Sequence, residues 1–190
     1  MVSRFLRLQA AWTMSKWLPD SRPGGLTATP RQIGSMNLLI RRAGPEDAAS
    51  IQRLLAVQLA EHHIDISAED LGNSIHGVLD VPRRGFFLVA LRDGLCIGVA
   101  YVSFIWALEH GGQAGWLEEL YVVPEHRTGG VGTQLLEAVI DAAAAAGCAA
   151  LDLEIDSDHE RVRSLYERHG FTALPRNRVV KKLARGKSPL

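Results

Sequence analysis

One segment constrains this chain more than any other: a strand that contains β-branched residues, followed by a glycine-rich loop and then by a helix. The strand covers residues 117–123 and the loop covers residues 128–132. Consecutive backbone N–H groups at a helix N-terminus concentrate partial positive charge, which binds a diphosphate without a lysine or a metal. Two carboxylates, Glu118 and Glu119, lie on the strand just before the loop. An anion cradle beside two proton acceptors predicts a group-transfer enzyme with a phosphate-bearing cofactor.

Two commoner phosphate-binding loops do not fit the pattern. A P-loop requires a lysine directly after its glycines, and none follows Gly132. A dinucleotide-binding fingerprint requires Gly-x-Gly-x-x-Gly, and Leu135 occupies the place of its third glycine. The pattern in this chain is Arg-x-x-Gly-x-Gly, which taken alone also fits a simple tight turn.

Two motifs together resemble a known family. The segment Val122-x-Pro-x-x-Arg127-x-x-Gly130-x-Gly132 is similar to the acyl-CoA-binding motif of the GNAT superfamily of N-acetyltransferases. Farther along, Leu165-Tyr166-Glu-Arg-His-Gly-Phe171 is similar to the second signature of that superfamily. The order and spacing of the two motifs are more specific than either motif. The resemblance covers roughly residues 37 to 183, and the strand before the loop looks most like that of diamine and polyamine acetyltransferases.

The resemblance implies a fold class and a cofactor. The fold class is α/β, in the α+β mixed-sheet form, with a central twisted, mostly antiparallel sheet, a splayed strand pair and helices on both faces. Acetyl-CoA is the implied co-substrate, with its pantetheine arm between the strand that holds Glu118 and the strand that holds Leu151, and no metal is implied. The residues implied to bind it are Val122, Val123, Arg127, Thr128, Gly129, Gly130, Val131, Gly132, Thr133 and His159. His159 stands where many members have an asparagine.

Amine acetylation requires a proton acceptor. An alkyl ammonium with a pKa of about 10.4 is protonated at neutral pH, and only the free amine attacks a thioester. Because successive residues of a strand alternate faces, we expect Glu118 and Glu119 on opposite faces, with Glu118 on the side of Leu120 and Val122. Alignment on the motif arginine also implies that Glu118 is the base. Glu119 is then the residue that binds a cationic substrate, and a reversed facing would exchange the two roles.

The remaining catalytic groups come from the second motif and from the strand. Tyr166 is the candidate proton donor to the leaving CoA thiolate, because a phenol keeps its proton at neutral pH. A backbone N–H near Val122 or Val123 is the candidate donor to the developing oxyanion.

The acceptor amine is less constrained. We expect a small cationic amine, such as a diamine, a polyamine or an amino-acid-like amine, with further acids at Glu61, Asp65 and Glu109. An aminoglycoside, a protein N-terminus or lysine, and a non-catalytic acyl-CoA sensor remain the alternatives. The formal net charge of the chain is +0, so no global field favours nucleic acid or a membrane surface as a partner. The sequence sets no oligomeric state, although homodimers are common among similar proteins.

The amino-acid composition of the 190-residue chain changes near Met36. We expect residues 1–35 to be a disordered extension, or to precede the true start, and residues 36–190 to form the acetyltransferase domain. Cys96 and Cys148 have no metal-ligand spacing and are expected to be free thiols, which predicts a cytoplasmic protein.

Periodicity and turn residues predict the order of the elements. Strands are expected at residues 38–41, 86–91, 95–103, 117–123 and 149–155, with two final strands at residues 171–174 and 178–183. Helices are expected from Pro45, after Ser67, at residues 133–146 and at about residues 158–169. Ser67-x-x-Asp70 is similar to a capping box, and Asp93-Gly94 predicts a tight hairpin turn between the second and third strands.

Overall fold

The computed structural model describes residues 37–155, 160–181 and 183. The predictions for residues 1–36 and for His159 lie outside the described residues. Five strands and four α-helices follow one another along the described chain. In order, these are β1 (Leu38–Arg42), α1 (Ala48–Glu61), α2 (Ala68–Leu79), β2 (Gly85–Arg92), β3 (Leu95–Ala107), β4 (Gly112–Val122), α3 (Val131–Ala145), β5 (Leu151–Leu153) and α4 (Glu160–Arg168).

Local sequence signals explain several element boundaries. The Ser67 side chain accepts a hydrogen bond from the backbone N–H of Asp70 and so caps the first turn of α2, as the sequence predicts. Asp93 and Gly94 both have positive φ angles, 50° and 79°, which is the backbone of a type I′ turn and joins β2 to β3. No helix in the described ranges has the length and hydropathy needed to cross a membrane.

The sheet is antiparallel except at one edge. Its strand order is β1-β2-β3-β4-β5, and only β4 and β5 run parallel. The parallel pairing is short, since it joins residues 115–117 of β4 to residues 151–153 of β5. Beyond Leu117, β4 continues to Val122 without a partner on this side in the described chain. A gap therefore opens between the two strands, as expected for a splayed pair.

Apolar side chains cover both faces of this sheet. One cluster joins α1 and α2 to the sheet through Ile51, Leu54, Ile75 and Val99, none of which is more than 2% exposed. The other joins α3 and α4 to the opposite face and includes Leu135 and Tyr166. The predicted fold class, a mixed α/β protein with helices on both faces of a mostly antiparallel sheet, is confirmed.

The two final strands are a wrong prediction. Residues 171–181 and 183 contain no strand, and Val179 and Val180 are 91% and 81% exposed. Alternating apolar residues form a strand only against a neighbour that they can pair with. The neighbouring β5 is only 3 residues long, instead of the predicted 7 between residues 149 and 155. α3 also begins at Val131, two positions before the predicted Thr133.

Candidate active site

A β-bulge places both carboxylates on one face of the sheet. Tyr101 of β3 pairs with Glu119, but the next residue, Val102, pairs with Leu117, so Glu118 is the extra residue. Ser103 donates a hydrogen bond of 2.8 Å to Glu118. Val102 packs on the α3 side and Tyr101 on the α1/α2 side. Because strand residues alternate, Ser103 faces the same side as Tyr101, and the Glu118 carboxylate that it contacts is therefore on the α1/α2 face. The prediction that Glu118 and Glu119 lie on opposite faces is wrong, because the bulge interrupts the alternation.

Glu119 is the more enclosed of the two carboxylates. Gln58 of α1 donates a hydrogen bond of 2.6 Å from Nε2 to its Oε2 atom. Burial raises the pKa of Glu119 to about 7, and the charge of Glu118 adds to the rise. The hydrogen bond from Gln58 acts in the opposite direction but is the weakest of the three influences. Glu119 therefore exchanges a proton near neutral pH, which suits a general base.

Glu118 is exposed and lies between polar neighbours. Besides the hydrogen bond from Ser103, its charge acts on Tyr101, whose pKa is raised first by burial and then by Glu118. The negative charge of Glu118 therefore acts on both of the titratable groups beside it, Tyr101 and Glu119.

The glycine-rich loop has the backbone of an anion cradle. Thr128 and Gly130 have φ angles of 65° and 77°, in the left-handed region, and Gly130 is the N-cap of α3. No side chain caps this helix, and in the described chain the N–H groups of residues 128–130 have no backbone acceptor. The first N–H groups of a helix also lack intrahelical partners. The loop therefore presents a row of free backbone N–H groups at the N-terminus of α3.

The fold also leaves room above this loop. A Cβ atom added at Gly132 would be 4.0 Å from the nearest atom, Cγ2 of Val122, which is ordinary contact. Packing within the protein therefore does not demand glycine at this position, and the absence of a side chain leaves the backbone open to a ligand. Val131 is 1% exposed and contributes only its N–H, and Thr133 is half-buried in the first turn of α3. These residues fit the diphosphate of acetyl-CoA.

Arg127 holds the loop against its surroundings. Its Nε atom donates to the Val122 carbonyl at 2.8 Å, and its guanidinium pairs with Glu61 of α1 at 3.2 Å and lies over the Tyr121 ring. Arg127 is thus an anchor that joins β4, the loop and α1. Glu61, one of the acids considered for substrate, is engaged in this anchor.

The strand end offers one free N–H to the gap. The Val123 N–H already donates to the Ile97 carbonyl at 3.0 Å, so it is not a free oxyanion donor. The N–H groups of successive strand residues point to opposite edges, so that of Val122 points away from β3 and toward the gap. Val122 is therefore the better of the two candidates that the sequence predicts.

Tyr166 lies on the other face of the sheet from Glu119. It belongs to the α3/α4 cluster, which also contains Leu117 and Val122 of β4 and Leu153 of β5. Its ring meets Phe171 edge to face, with centroids 5.5 Å apart. Burial raises the pKa of Tyr166 to about 12, so the phenol keeps its proton at neutral pH. The carboxylates of β4 and the Tyr166 phenol therefore lie on opposite faces of the sheet.

A second acidic cluster lies elsewhere. Glu109, His110 and Asp152 have potential metal-ligand atoms within 4.8 Å of one another. His110 and Asp152 contact each other at 2.9 Å, and Glu109 forms an ion pair with Arg176 at 2.6 Å. Each group is therefore already satisfied by a protein partner.

Sequence reasoning missed Gln58 and Ser103 as parts of the site. Gln58 follows Ile51, Leu54 and Leu55 at helical spacing, which places an amide on the apolar stripe of α1. A polar side chain on such a stripe signals a buried partner, because an unpaired amide would be costly there. Ser103 carries no comparable local signal.

The chain matches the model of the Acetyltransferase (GNAT) family over residues 50–171. It is 42% identical over 132 residues to the uncharacterized N-acetyltransferase YhfO of Bacillus subtilis, which covers 70% of this chain and 88% of that protein. It is 29% identical over 143 residues to thialysine N-epsilon-acetyltransferase of Mus musculus, with 67% of this chain and 80% of that protein covered. It is 29% identical over 143 residues to the mycothiol acetyltransferase of Stackebrandtia nassauensis. That match covers 73% of this chain but only 44% of that protein.

A solved aminoglycoside N-acetyltransferase in complex with CoA has the same fold. The TM-score is 0.66 at 20% identity, and the match covers 80% of this chain and 98% of that chain. At 20% identity this similarity shows the fold alone. The match to the family covers residues 50–171, which is more than half of the chain. The splayed strands, the cradle and the match along the sequence lead to one conclusion: this chain belongs to the GNAT family of acetyltransferases.

Proposed function

We propose that the protein transfers an acetyl group from acetyl-CoA to a small primary amine, by direct attack while both are bound. The observation that carries this proposal is a carboxylate whose pKa is about 7, Glu119, on β4, with a phenol, Tyr166, in the apolar cluster that packs against the opposite face of the same strand. The relatives support an amine acceptor, since one is a thialysine N-epsilon-acetyltransferase and another an aminoalkylphosphonate N-acetyltransferase.

The cradle and the gap are the proposed binding site for acetyl-CoA. The N–H groups of residues 128–133 hold the diphosphate, and Arg127 keeps the loop in place through Val122 and Glu61. The unpaired part of β4 beyond Leu117 offers backbone groups to the amides of the pantetheine arm. When bound, acetyl-CoA supplies a thioester whose carbonyl carbon is open to attack, and the N–H of Val122 donates to its oxygen.

Glu119 is the proposed base, with Glu118 as the neighbour that tunes it. This assignment exchanges the roles expected from the sequence, because the bulge puts Glu119 in the enclosed position and leaves Glu118 exposed. A base with a pKa near neutral accepts the ammonium proton and still releases it to solvent before the next turnover.

Proton accounting assigns a role to Tyr166. The nitrogen of a primary ammonium loses two protons as it becomes an amide: Glu119 takes one, and the other ends on the departing sulfur. Tyr166 donates a hydrogen bond and then its proton to that sulfur, and the proton leaving the nitrogen restores the phenol. A phenol with a pKa of about 12 remains protonated until that moment.

The proposed compartment is the cytoplasm. Cys96 is buried, Cys148 is half-buried, and both are free thiols. Free cysteines in a folded domain are usual where thiols are kept reduced, which supports this expectation.

A matched pair of variants tests the reaction and the assignment of the base. Thiol release from acetyl-CoA is followed across a panel of primary amines for wild type, Glu119→Gln and Glu118→Gln. We expect Glu119→Gln to lower kcat/KM by roughly 10²–10⁴-fold, because the proton acceptor is removed. Glu118→Gln should cost less than about tenfold and shift the acidic limb of the pH profile to lower pH, since it removes a charge that raises the pKa of Glu119.

The opposite ranking would assign the base to Glu118. Binding of acetyl-CoA without thiol release for any amine would instead indicate a non-catalytic acyl-CoA sensor.

A further inference from the structure

A largely apolar cavity opens beside Glu119. It lies between α1, α2 and the sheet and has a volume of about 170 Å³. Its wall contains a single ionisable acid, Glu119, within the described part of the chain. The other lining residues are Leu55, Leu59, Leu71, Ser74, Ile75, Val78, Phe87 and Tyr101.

The polar groups of this cavity lie together at one end. Tyr101 is the partner of Glu119 across the strand pair, and both line the cavity. Gln58 does not line the cavity itself, but it donates a hydrogen bond to the Glu119 carboxylate. Ser74 is satisfied by its own helix, because its hydroxyl donates to the Asp70 carbonyl at 2.8 Å. The remaining wall is formed by Leu, Ile, Val and Phe side chains, so the cavity has one polar end and one apolar end.

An unpartnered acceptor lies next to the polar end of the cavity, on the amide that holds Glu119. Gln58 is only 7% exposed, and its Oε1 atom has no hydrogen-bond partner. A buried carbonyl oxygen without a donor is costly, so its retention beside Glu119 indicates a donor that arrives with a ligand. An ammonium carries three N–H donors, enough to serve Glu119 and Gln58 together.

We propose that the acceptor is an amine with a single positive charge and an apolar group about the size of a benzene ring. Its ammonium binds Glu119 and Oε1 of Gln58, and its apolar group fills the cavity. Arylalkyl and branched alkyl primary amines fit this description. The inference rests on the proposed function and names its substrate class.

Size and charge both support this class. A cavity of about 150 Å³ lined by leucine, isoleucine and phenylalanine binds benzene, so the present volume fits a single ring. A linear diamine would carry its second ammonium into the wall formed by Leu55, Leu71 and Ile75, with no acid to receive it. An unpaired charge in such surroundings is strongly disfavoured. The cavity therefore discriminates against the diamines and polyamines expected from the sequence.

Matched amines test the charge preference. The values of kcat/KM are compared for 2-phenylethylamine, 3-methylbutylamine and 1,5-diaminopentane, with thiol release from acetyl-CoA as the readout. We expect both monoamines to exceed the diamine by about tenfold or more. A diamine that equals or exceeds both monoamines overturns the inference while the proposed function stands. Absence of thiol release with every amine overturns the proposed function itself, and the inference with it.

Filling the cavity tests the location. Ser74→Phe projects a ring into the cavity from α2, and we expect it to lower kcat/KM for 2-phenylethylamine by about tenfold or more while methylamine changes less than about threefold. Asn73→Phe is the matched control, because Asn73 is exposed on the same helix and does not line the cavity. Equal losses for both amines in Ser74→Phe, or the same selective loss in Asn73→Phe, would overturn the placement of the apolar group.

Enlarging the cavity gives a second, opposite test. Leu59→Ala removes a half-buried wall residue and should shift the preference from 2-phenylethylamine toward the longer 3-phenylpropylamine. Leu79→Ala is the control, since Leu79 is half-buried on α2 but outside this wall. An unchanged ratio of the two amines in Leu59→Ala contradicts the proposal.

Discussion

Glu119 combines two properties that conflict in most carboxylates, burial and ionisation. Its neighbours are apolar except for Gln58 and Tyr101, and the nearest charge is the carboxylate of Glu118. The folded state therefore disfavours the ionised form that a general base requires. The role proposed for Glu119 is therefore met at the expense of stability.

That conflict predicts a dependence of stability on pH. The pKa of Glu119 rises from 4.5 to about 7 on folding, so its contribution is fully present below 4.5 and is lost as the pH rises through 7. Glu119→Gln, which cannot ionise, should therefore stabilise the protein at pH 8 by on the order of 2 kcal/mol and by much less at pH 5. Urea denaturation at the two pH values measures this difference. Glu125→Gln, on an exposed turn, is the control, and an equal effect at both pH values would contradict the raised pKa.

Tyr166→Phe isolates the phenolic proton. The substitution keeps the ring and its contact with Phe171, so the free energy of unfolding should change little. We expect kcat to fall by roughly 10²–10³-fold because the departing sulfur loses its proton donor. The affinity for acetyl-CoA, measured by calorimetry, should stay within about twofold of wild type. An unchanged kcat would remove Tyr166 from the mechanism.

At the scale of elements, the loop before α3 depends on one left-handed glycine. Gly130 has a φ angle of 77°, so Gly130→Ala should destabilise the protein by about 1 kcal/mol and also distort the cradle. Gly111→Ala is the matched control, because Gly111 has a φ of 72° in a hairpin turn with open space around it. Both variants should lose similar stability in urea, but only Gly130→Ala should bind acetyl-CoA more weakly. Equal acetyl-CoA affinities for the two variants would argue against the cradle.

Elements with local signals were predictable from the sequence, and those that depend on distant partners were not. The cap at Ser67 and the turn at Asp93 and Gly94 depend only on residues close together in the sequence, and the structure confirms both. The bulge at Glu118 depends on the register between β4 and β3. The residues next to Glu118 in the sequence do not specify that register. The predicted strand at residues 178–183 failed for the same reason, since propensity alone supplied no neighbour.

At the scale of the whole molecule, the described residues, which begin at Asn37, belong to one compact unit. A chain that begins at Met36 should therefore unfold cooperatively, with the same midpoint as the full chain, and should bind acetyl-CoA with unchanged affinity. Thermal denaturation and calorimetry on the two proteins test this expectation. Loss of folding or of binding would show that residues 1–35 belong to the domain.

The cavity is a property of the whole fold and could not be read from any one segment. Its wall combines α1, α2, β2, β3 and β4, so its shape depends on how two helices cross a sheet. The sequence indicated an apolar stripe on α1, but such a stripe also predicts a solid core. Only the structure shows that the two helices and the sheet leave a space beside Glu119.

The gap between β4 and β5 has a consequence for solubility. From Glu118 to Val122, the backbone of β4 faces this gap without a strand partner in the described chain, so this part of β4 is an open edge of the sheet. Open edges recruit strands from other molecules, and proteins usually shield them with charge, proline or a bulge. Here the shielding combines the bulge at Glu118, the two adjacent carboxylates and Pro124 just past the strand end. The residues assigned to chemistry thus also act as gatekeepers against self-association.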